Sequence, residues 1–327
     1  MNNNNKASLF SRTRPGNPSP KKIRGFMALP GEVRNQIYAY YFREDFRCEI
    51  AAKESTIDQL ALKVPPKTIK LCVGITRGKK PVSNPLEEPI LKTQQRSLRV
   101  SRPYGNYRRV HGESTKWENS LCALVLVCKQ IHLESVVFLY QKTTFVFDAP
   151  KRINNFLRWV PLRNLAHVTK LQLCYIPYNG NGWDTKHRLS WTRVCKAFTK
   201  KMISLQDLTL YIYTAQSVRW FDLRQHFVQP LLHFRRLSVA NPSKGPSNSP
   251  ASLKMVKVHF STYWSRTGFT QQPLTDASNH LHRLYGEAIG KAILGKSEDE
   301  AMEGFLDAWE GRYAMWKHHL QYNVTGW

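Results

Sequence analysis

The sequence predicts a mixed fold, α+β or α/β, with helices at the N-terminus, alternating helices and strands through the middle, and amphipathic helices at the C-terminus. Three observations predict it. Apolar residues at helical spacing open the chain (Val33, Ile37, Tyr40, Tyr41) and close it (Met302, Phe305, Leu306, Trp309, Tyr313, Trp316, Leu320). Between them, the strand-like runs "VTKLQL", "LTLYI" and "KMVKVHF" each follow a helical stretch or a loop. With 327 residues and 42% hydrophobic content, the chain can bury a core without disulfide or metal support.

Residues 1–24 hold asparagines, prolines, serines and six basic side chains with no acid. Such a segment buries too little apolar surface to offset its ordering entropy, so it reads as a disordered basic tail. It lacks the apolar stretch of a secretory signal. Leu29 to Phe42 then reads as a helix, with Pro30 near its first turn and Glu32 placed against the positive helix end. Its apolar stripe Val33, Ile37, Tyr40 and Tyr41 is expected to be covered, because each such side chain is worth roughly 1.5–3 kcal/mol when fully buried.

Residues 43–118 break the pattern with repeated prolines and glycines, and Lys67 to Arg109 carries eleven Lys or Arg against Glu87 and Glu88. The stretch reads as an irregular basic insertion with a short strand at Thr68 to Val73. Regularity returns at Asn119. A largely apolar helix with Leu121, Leu124, Cys128, Ile131, Ser135 and Phe138 on one face leads to a strand at Thr144 to Phe147.

Helix and strand then alternate. Lys151–Val160 precedes a strand at Val168–Leu173, Ser190–Ile203 a strand at Leu208–Ile212, and an apolar helix at Ser217–Phe227 a strand at Arg236–Val239. A last strand at Lys254–Phe260 follows the low-complexity loop "NPSKGPSNSPA". This order favours parallel strands joined by crossovers. The pairs Leu171/Leu173, Leu208/Leu210 and, more weakly, Leu237/Val239 resemble degenerate leucine-rich repeats at uneven spacing, so an open sheet and an irregular solenoid fit equally well. At the C-terminal helix, Ser297 and Glu300 have capping-box spacing.

Charge is the strongest global signal: 49 Lys and Arg against 23 Asp and Glu leave +26. Residues 1–110 carry 22 basic and 8 acidic side chains, and residues 151–296 carry 22 and 5. Residues 297–327 reverse the balance with 2 and 6. A chain this basic attracts polyanions, and Arg77, Lys79, Lys80, Arg99, Arg102, Arg108 and Arg109 are the candidate contacts, with Tyr104 and Tyr107 among them.

Catalytic signatures are missing from the sequence. No Gly-rich phosphate loop and no G-x-S-x-G elbow occurs. His280-x-His282 and His318-His319 are the only close histidine pairs, and the six cysteines are dispersed without a C-x-x-C. Asp184, Asp207, Asp222, Asp276 and Glu287 are the only acids over residues 149–296, too sparse for a paired-carboxylate site between sequence neighbours. No metal or cofactor is called for, and the chain reads as a non-enzyme. No run of 18 apolar residues occurs, so no membrane span is expected.

Two stretches together resemble a known family. "FMALPGEVRNQIYAYYF" is similar to the opening of the F-box motif, at Met27, Leu29, Pro30, Glu32, Val33, Ile37 and Tyr41. "ALVLVCKQIHLESVVFLYQKTTFVF" resembles the second half-motif of a set of fungal F-box-like proteins of uncharacterised function. The shared positions are Arg34, Asn35, Ile37, Tyr38, Val127, Cys128, Gln130, Ile131, Glu134, Leu139, Tyr140, Phe145 and Phe147. The resemblance implies an adaptor in which Leu29, Pro30, Glu32, Val33, Ile37 and Tyr41 meet the Skp-type linker of a cullin ubiquitin ligase, while the C-terminal body recruits an unidentified target. With no secretory signal and no membrane span in the sequence, a cytoplasmic or nuclear protein is expected. Packing of the same helix on Leu121 to Leu139 is the competing role for the stripe, and nucleic-acid or polyanion binding is the competing function. The expected organisation is a tail (1–24), an F-box-like region (25–148) carrying the insertion 43–118, and an α/β body with C-terminal helices (149–327).

Overall fold

A computed structural model describes residues 25–42, 46–51, 68–70, 96–99, 123–177, 185–239, 252–262 and 271–321. Its centre is a parallel sheet of seven strands in the order β2-β3-β1-β4-β5-β6-β7. These are β1 Phe46–Ile50, β2 Thr68–Lys70, β3 Arg96–Arg99, β4 Thr143–Phe147, β5 Lys170–Tyr175, β6 Asp207–Thr214 and β7 Met255–Thr262. The helices are α1 Gly31–Tyr41, α2 Lys129–Lys142, α3 Pro150–Trp159, α4 Leu162–Leu165, α5 Thr185–Lys201, α6 Arg235–Ser238, α7 Gln272–Ile293, α8 Glu298–Asp307 and α9 Lys317–Gln321.

From β4 to β7 each strand lies beside the next in sequence, as the alternation of helix and strand predicts. Register stacks the alternating apolar residues into rows. Cys48, Phe145, Leu171, Leu208 and Val256 form one row, and Ile50, Phe147, Leu173, Leu210 and Val258 the next. Helices α3, α5 and α7 bury Ile153, Phe156, Val194, Phe198, Leu281 and Ile289 against this face in one core cluster. On α7, Gly286 and Gly290 let the helix close on β7: a Cβ at Gly286 would stand 2.8 Å from the Val258 carbonyl oxygen.

Three expectations are corrected. The stretch 43–118, expected to be irregular apart from a strand at Thr68 to Val73, supplies three strands, and β1 sits in the interior of the sheet between β3 and β4. The run "FRCEI" is only five residues long, and its alternation of Phe46, Cys48 and Ile50 becomes decisive only once β4 is beside it. The strand expected at Arg236–Val239 is instead the helical turn α6, continuing a 3₁₀ turn at Leu231–Phe234. Leu237 is buried there, and the Ser238 hydroxyl donates to the Ile293 carbonyl at 2.6 Å, while Val256 and Val258 of β7 take the third place in the ladder. The expected helix at Ser217–Phe227 is only a 3₁₀ turn, Val218–Trp220.

The capping box at Ser297 and Glu300 is formed. α7, 22 residues long, has no counterpart in the sequence-based expectations, because glycine, serine and threonine interrupt its apolar face. The tail 1–24 and the loop "NPSKGPSNSPA" lie outside the described residues.

Candidate functional site

The first helix is set by its ends and one ion pair. Pro30, with extended backbone, caps α1, and Glu32 occupies its first turn. The opposing element is α2, whose N-cap is Cys128: its Sγ accepts from the Ile131 amide at 3.5 Å.

Glu134 on α2 joins the two helices. Arg34 donates to both of its oxygens, Nε to Oε2 at 2.9 Å and Nη2 to Oε1 at 2.8 Å. The Tyr38 hydroxyl donates to Oε2 at 2.8 Å and the Gln130 amide to Oε1 at 3.1 Å. Arg34 also reaches the Leu29 carbonyl, which fixes the turn before the helix. A bidentate guanidinium joined by two further donors is among the stronger carboxylate arrangements. The Arg34 bonds are the main reason the Glu134 carboxyl is held down at about 2. Burial, then the neighbouring carboxylate, pushes the Tyr38 phenol up to about 12.

Around this clamp lies a small apolar core of Tyr38, Phe42, Phe46, Val125 and Ile131, with Phe26 and Phe138 packed on it. The Tyr38 ring lies 5.8 Å from Phe26 and 5.9 Å from Phe138. Phe46 belongs to β1, so this core ties the helix pair to the sheet.

The face of α1 that the chain covers is therefore Arg34, Tyr38 and Phe42. The stripe expected to be covered stays open: Val33, Ile37, Tyr40 and Tyr41 are 37, 39, 75 and 41% exposed. Val33, Ile37 and Tyr41 repeat at i, i+4 and i+8, as do Arg34, Tyr38 and Phe42, and the two rows are one residue apart, hence about 100° around the helix. Glu134 and the two large rings select the Arg34 side, a choice that hydrophobicity along α1 does not contain. Pro30 and Glu32 are exposed and Leu29 is half-buried. On α2, Leu126 and Val127 just before the helix and Leu133 within it are also exposed.

Of the basic candidates, Arg99 lies in β3, in register with Glu49 of β1. Arg77, Lys79, Lys80, Arg102, Arg108 and Arg109 lie outside the described residues.

The sheet face opposite the helices carries a polar cluster that sequence reading did not anticipate. Arg47 Nε donates to Glu49 at 2.8 Å and Nη1 to the Gln172 side chain at 2.6 Å. Tyr211 stacks on His259 with ring centres 4.5 Å apart. Cys174 is buried beside them, and burial pushes its thiol up to about 12, so no thiolate nucleophile is prepared there. Alternation within "RCE" and "LQLC" is the signal that could have placed these residues on one face.

Among the described residues, no group of three or more His, Cys, Asp or Glu side chains is placed to hold a metal ion, and no helix is long and apolar enough to cross a membrane. His280 bonds the Tyr313 hydroxyl at 2.8 Å. His282 is buried between Thr262 and Ser278.

A parallel sheet layered with helices on one face, with an N-terminal helix pair clamped through Glu134, defines an α/β protein whose half-motifs meet in space. The chain belongs to the family described as a domain of unknown function (DUF7730), which matches residues 22–244. That span takes in both half-motifs, the clamp and six of the seven strands. Comparison with curated proteins and with solved structures returns no match.

Proposed function

We propose that this protein is a non-enzymatic, F-box-like adaptor whose first helix docks a partner of the Skp-linker type. The observation that carries the reading is the open stripe on a fixed helix. Val33, Ile37 and Tyr41 are exposed on a helix whose neighbouring face, about 100° round, is locked by Arg34, Tyr38 and Phe42. An anchored amphipathic helix offers apolar side chains at i, i+4 and i+8 without an ordering cost on binding, the arrangement a helix-in-groove partner needs. Leu126, Val127 and Leu133 on the segment paired with α1 are exposed as well.

Pull-down with a Skp-type linker tests this reading. The intact chain should retain the linker. Val33→Asp/Ile37→Asp should lose it while keeping the circular dichroism and thermal midpoint of the wild type, since both positions are exposed. Failure of the intact chain to retain the linker overturns the reading.

A second reading, polyanion binding, is favoured by the +26 charge and by α3 and α5, which contain no acid at all. Retention on heparin that falls steeply with added salt is its signature, and weak retention at physiological ionic strength counts against it.

A further inference from the structure

All strands run parallel, so every connection from helix back to strand arrives at the same edge of the sheet. Hydrogen bonds stitch these arrivals together: the Thr169 hydroxyl donates to the Gln141 carbonyl, the Gln206 amide to the Thr169 carbonyl, and the Lys254 amide to the Gln206 carbonyl. The turns entering β5, β6 and β7 are thus neighbours at the strand spacing of about 5 Å. Lys201, near the end of α5, donates to the Leu157 carbonyl near the end of α3, which brings those two helix ends side by side.

On these joined ends the chain exposes Trp159 (55%), Leu162 (62%) and Ile203 (60%). None of the three is needed by the core, which takes Leu157, Leu165, Met202 and Leu205 from the same turns. Around them stand exposed Arg158, Arg163 and Lys200, with the Arg158 guanidinium 6.0 Å from the Trp159 ring centre. Across residues 157–170 and 200–207 Asp207 is the sole carboxylate, and it is half-buried. Acids collect farther on, in the first turn of α8, where Glu298 meets Arg224 and Glu300 meets Lys296.

We propose that this edge, centred on Trp159, Leu162 and Ile203, is a docking surface for an anionic lipid bilayer. The chemistry selects that occupant. Leu162 and Ile203 offer neither hydrogen bonds for phosphates nor a ring for base stacking, so a nucleic acid would use the cations and leave the aliphatics in water. A second copy of the chain would set like-charged patches against each other. An anionic interface takes all three elements: aliphatics enter the acyl boundary, tryptophan sits at headgroup depth, and Arg and Lys meet the lipid phosphates and carboxylates. Its residues are distinct from those of the Val33–Ile37–Tyr41 stripe of α1.

Vesicle co-sedimentation of the full chain tests the proposal, using phosphatidylcholine alone and phosphatidylcholine mixed with phosphatidylserine at physiological ionic strength. The wild type should sediment with the mixed vesicles and not with the neutral ones. Leu162→Ser/Ile203→Ser removes apolar area without changing charge and should weaken binding by about tenfold. Leu189→Ser, an exposed apolar site in the first half of α5, should bind as the wild type, and so should Ile37→Asp, which separates this surface from linker docking. Thermal midpoints check that each variant is folded. No wild-type binding, or equal binding by the wild type and the double serine variant, overturns the proposal. So does equal weakening of duplex DNA or RNA binding by the same serines, which would assign the edge to nucleic acid.

Discussion

Glu134 gathers three donors on one carboxylate, and single atoms there carry measurable weight. Tyr38→Phe removes one donor to an ionised carboxylate and should cost about 1.5–3 kcal/mol, read as a lower urea midpoint. Tyr38→Ala also opens a cavity between Phe26 and Phe138 and should cost about 3–5 kcal/mol. The carboxyl held at about 2 in the fold rises to its ordinary 4.5 when the chain unfolds. The unfolded state therefore binds the proton more readily, so the stabilisation is complete above pH 4.5 and is lost as pH falls through 2. His282 acts in a higher window. Its Nδ1 donates to the Ser278 carbonyl at 2.6 Å and its Nε2 accepts from the Thr262 hydroxyl, and burial holds it at about 4 against an ordinary 6.5. Its contribution is complete above pH 6.5 and is lost on acidification through 4. Stability measured between those values should fall for the wild type and run flatter for His282→Gln. At this scale the sequence showed which residues recur in the two half-motifs, Arg34, Tyr38, Gln130, Ile131 and Glu134, but not that they touch. Side chains 100 positions apart reveal contact only through the path of the chain between them.

Helix α7 meets β7 through glycine. Gly286→Ala would press a methyl group into the Val258 carbonyl and toward Phe260. The helix must lift, and a loss of about 1–3 kcal/mol should appear in thermal or urea unfolding. Ser297→Ala removes the side-chain half of the capping box on α8 and should cost about 1 kcal/mol by the same measurement. These two elements show what periodicity can and cannot carry. The Ser-x-x-Glu cap is a local code, so α8 begins where the sequence places it. Gly286 and Gly290 lower helix propensity, and their benefit exists only when a strand lies against them, so α7 is hard to see from sequence. The same limit applies to α1: its extent could be read, while the face it buries depended on an acid a hundred residues away.

The sheet makes one body of segments that composition would separate. Ile50, in the stretch that looked irregular, is 1% exposed and pairs with Phe147 in the register of the main core. Ile50→Ala should cost about 2–5 kcal/mol, a loss that a solvated loop residue would not show. Parallel order from β4 to β7 was legible because helices and strands alternate in sequence. The insertion of β1 between β3 and β4 was not, since it brings together strands far apart in sequence and out of sequence order. The closing of residue 34 onto residue 134 has a consequence for synthesis. Chains emerge N-terminus first, so α1 leaves the ribosome with both flanks bare and gains its backing only after α2 has followed. A product truncated before Glu134 would display Tyr38 and Phe42 together with Val33 and Ile37, a doubly greasy helix of the kind that chaperones and proteases bind, and only a chain that extends through α2 reduces it to one presentable side.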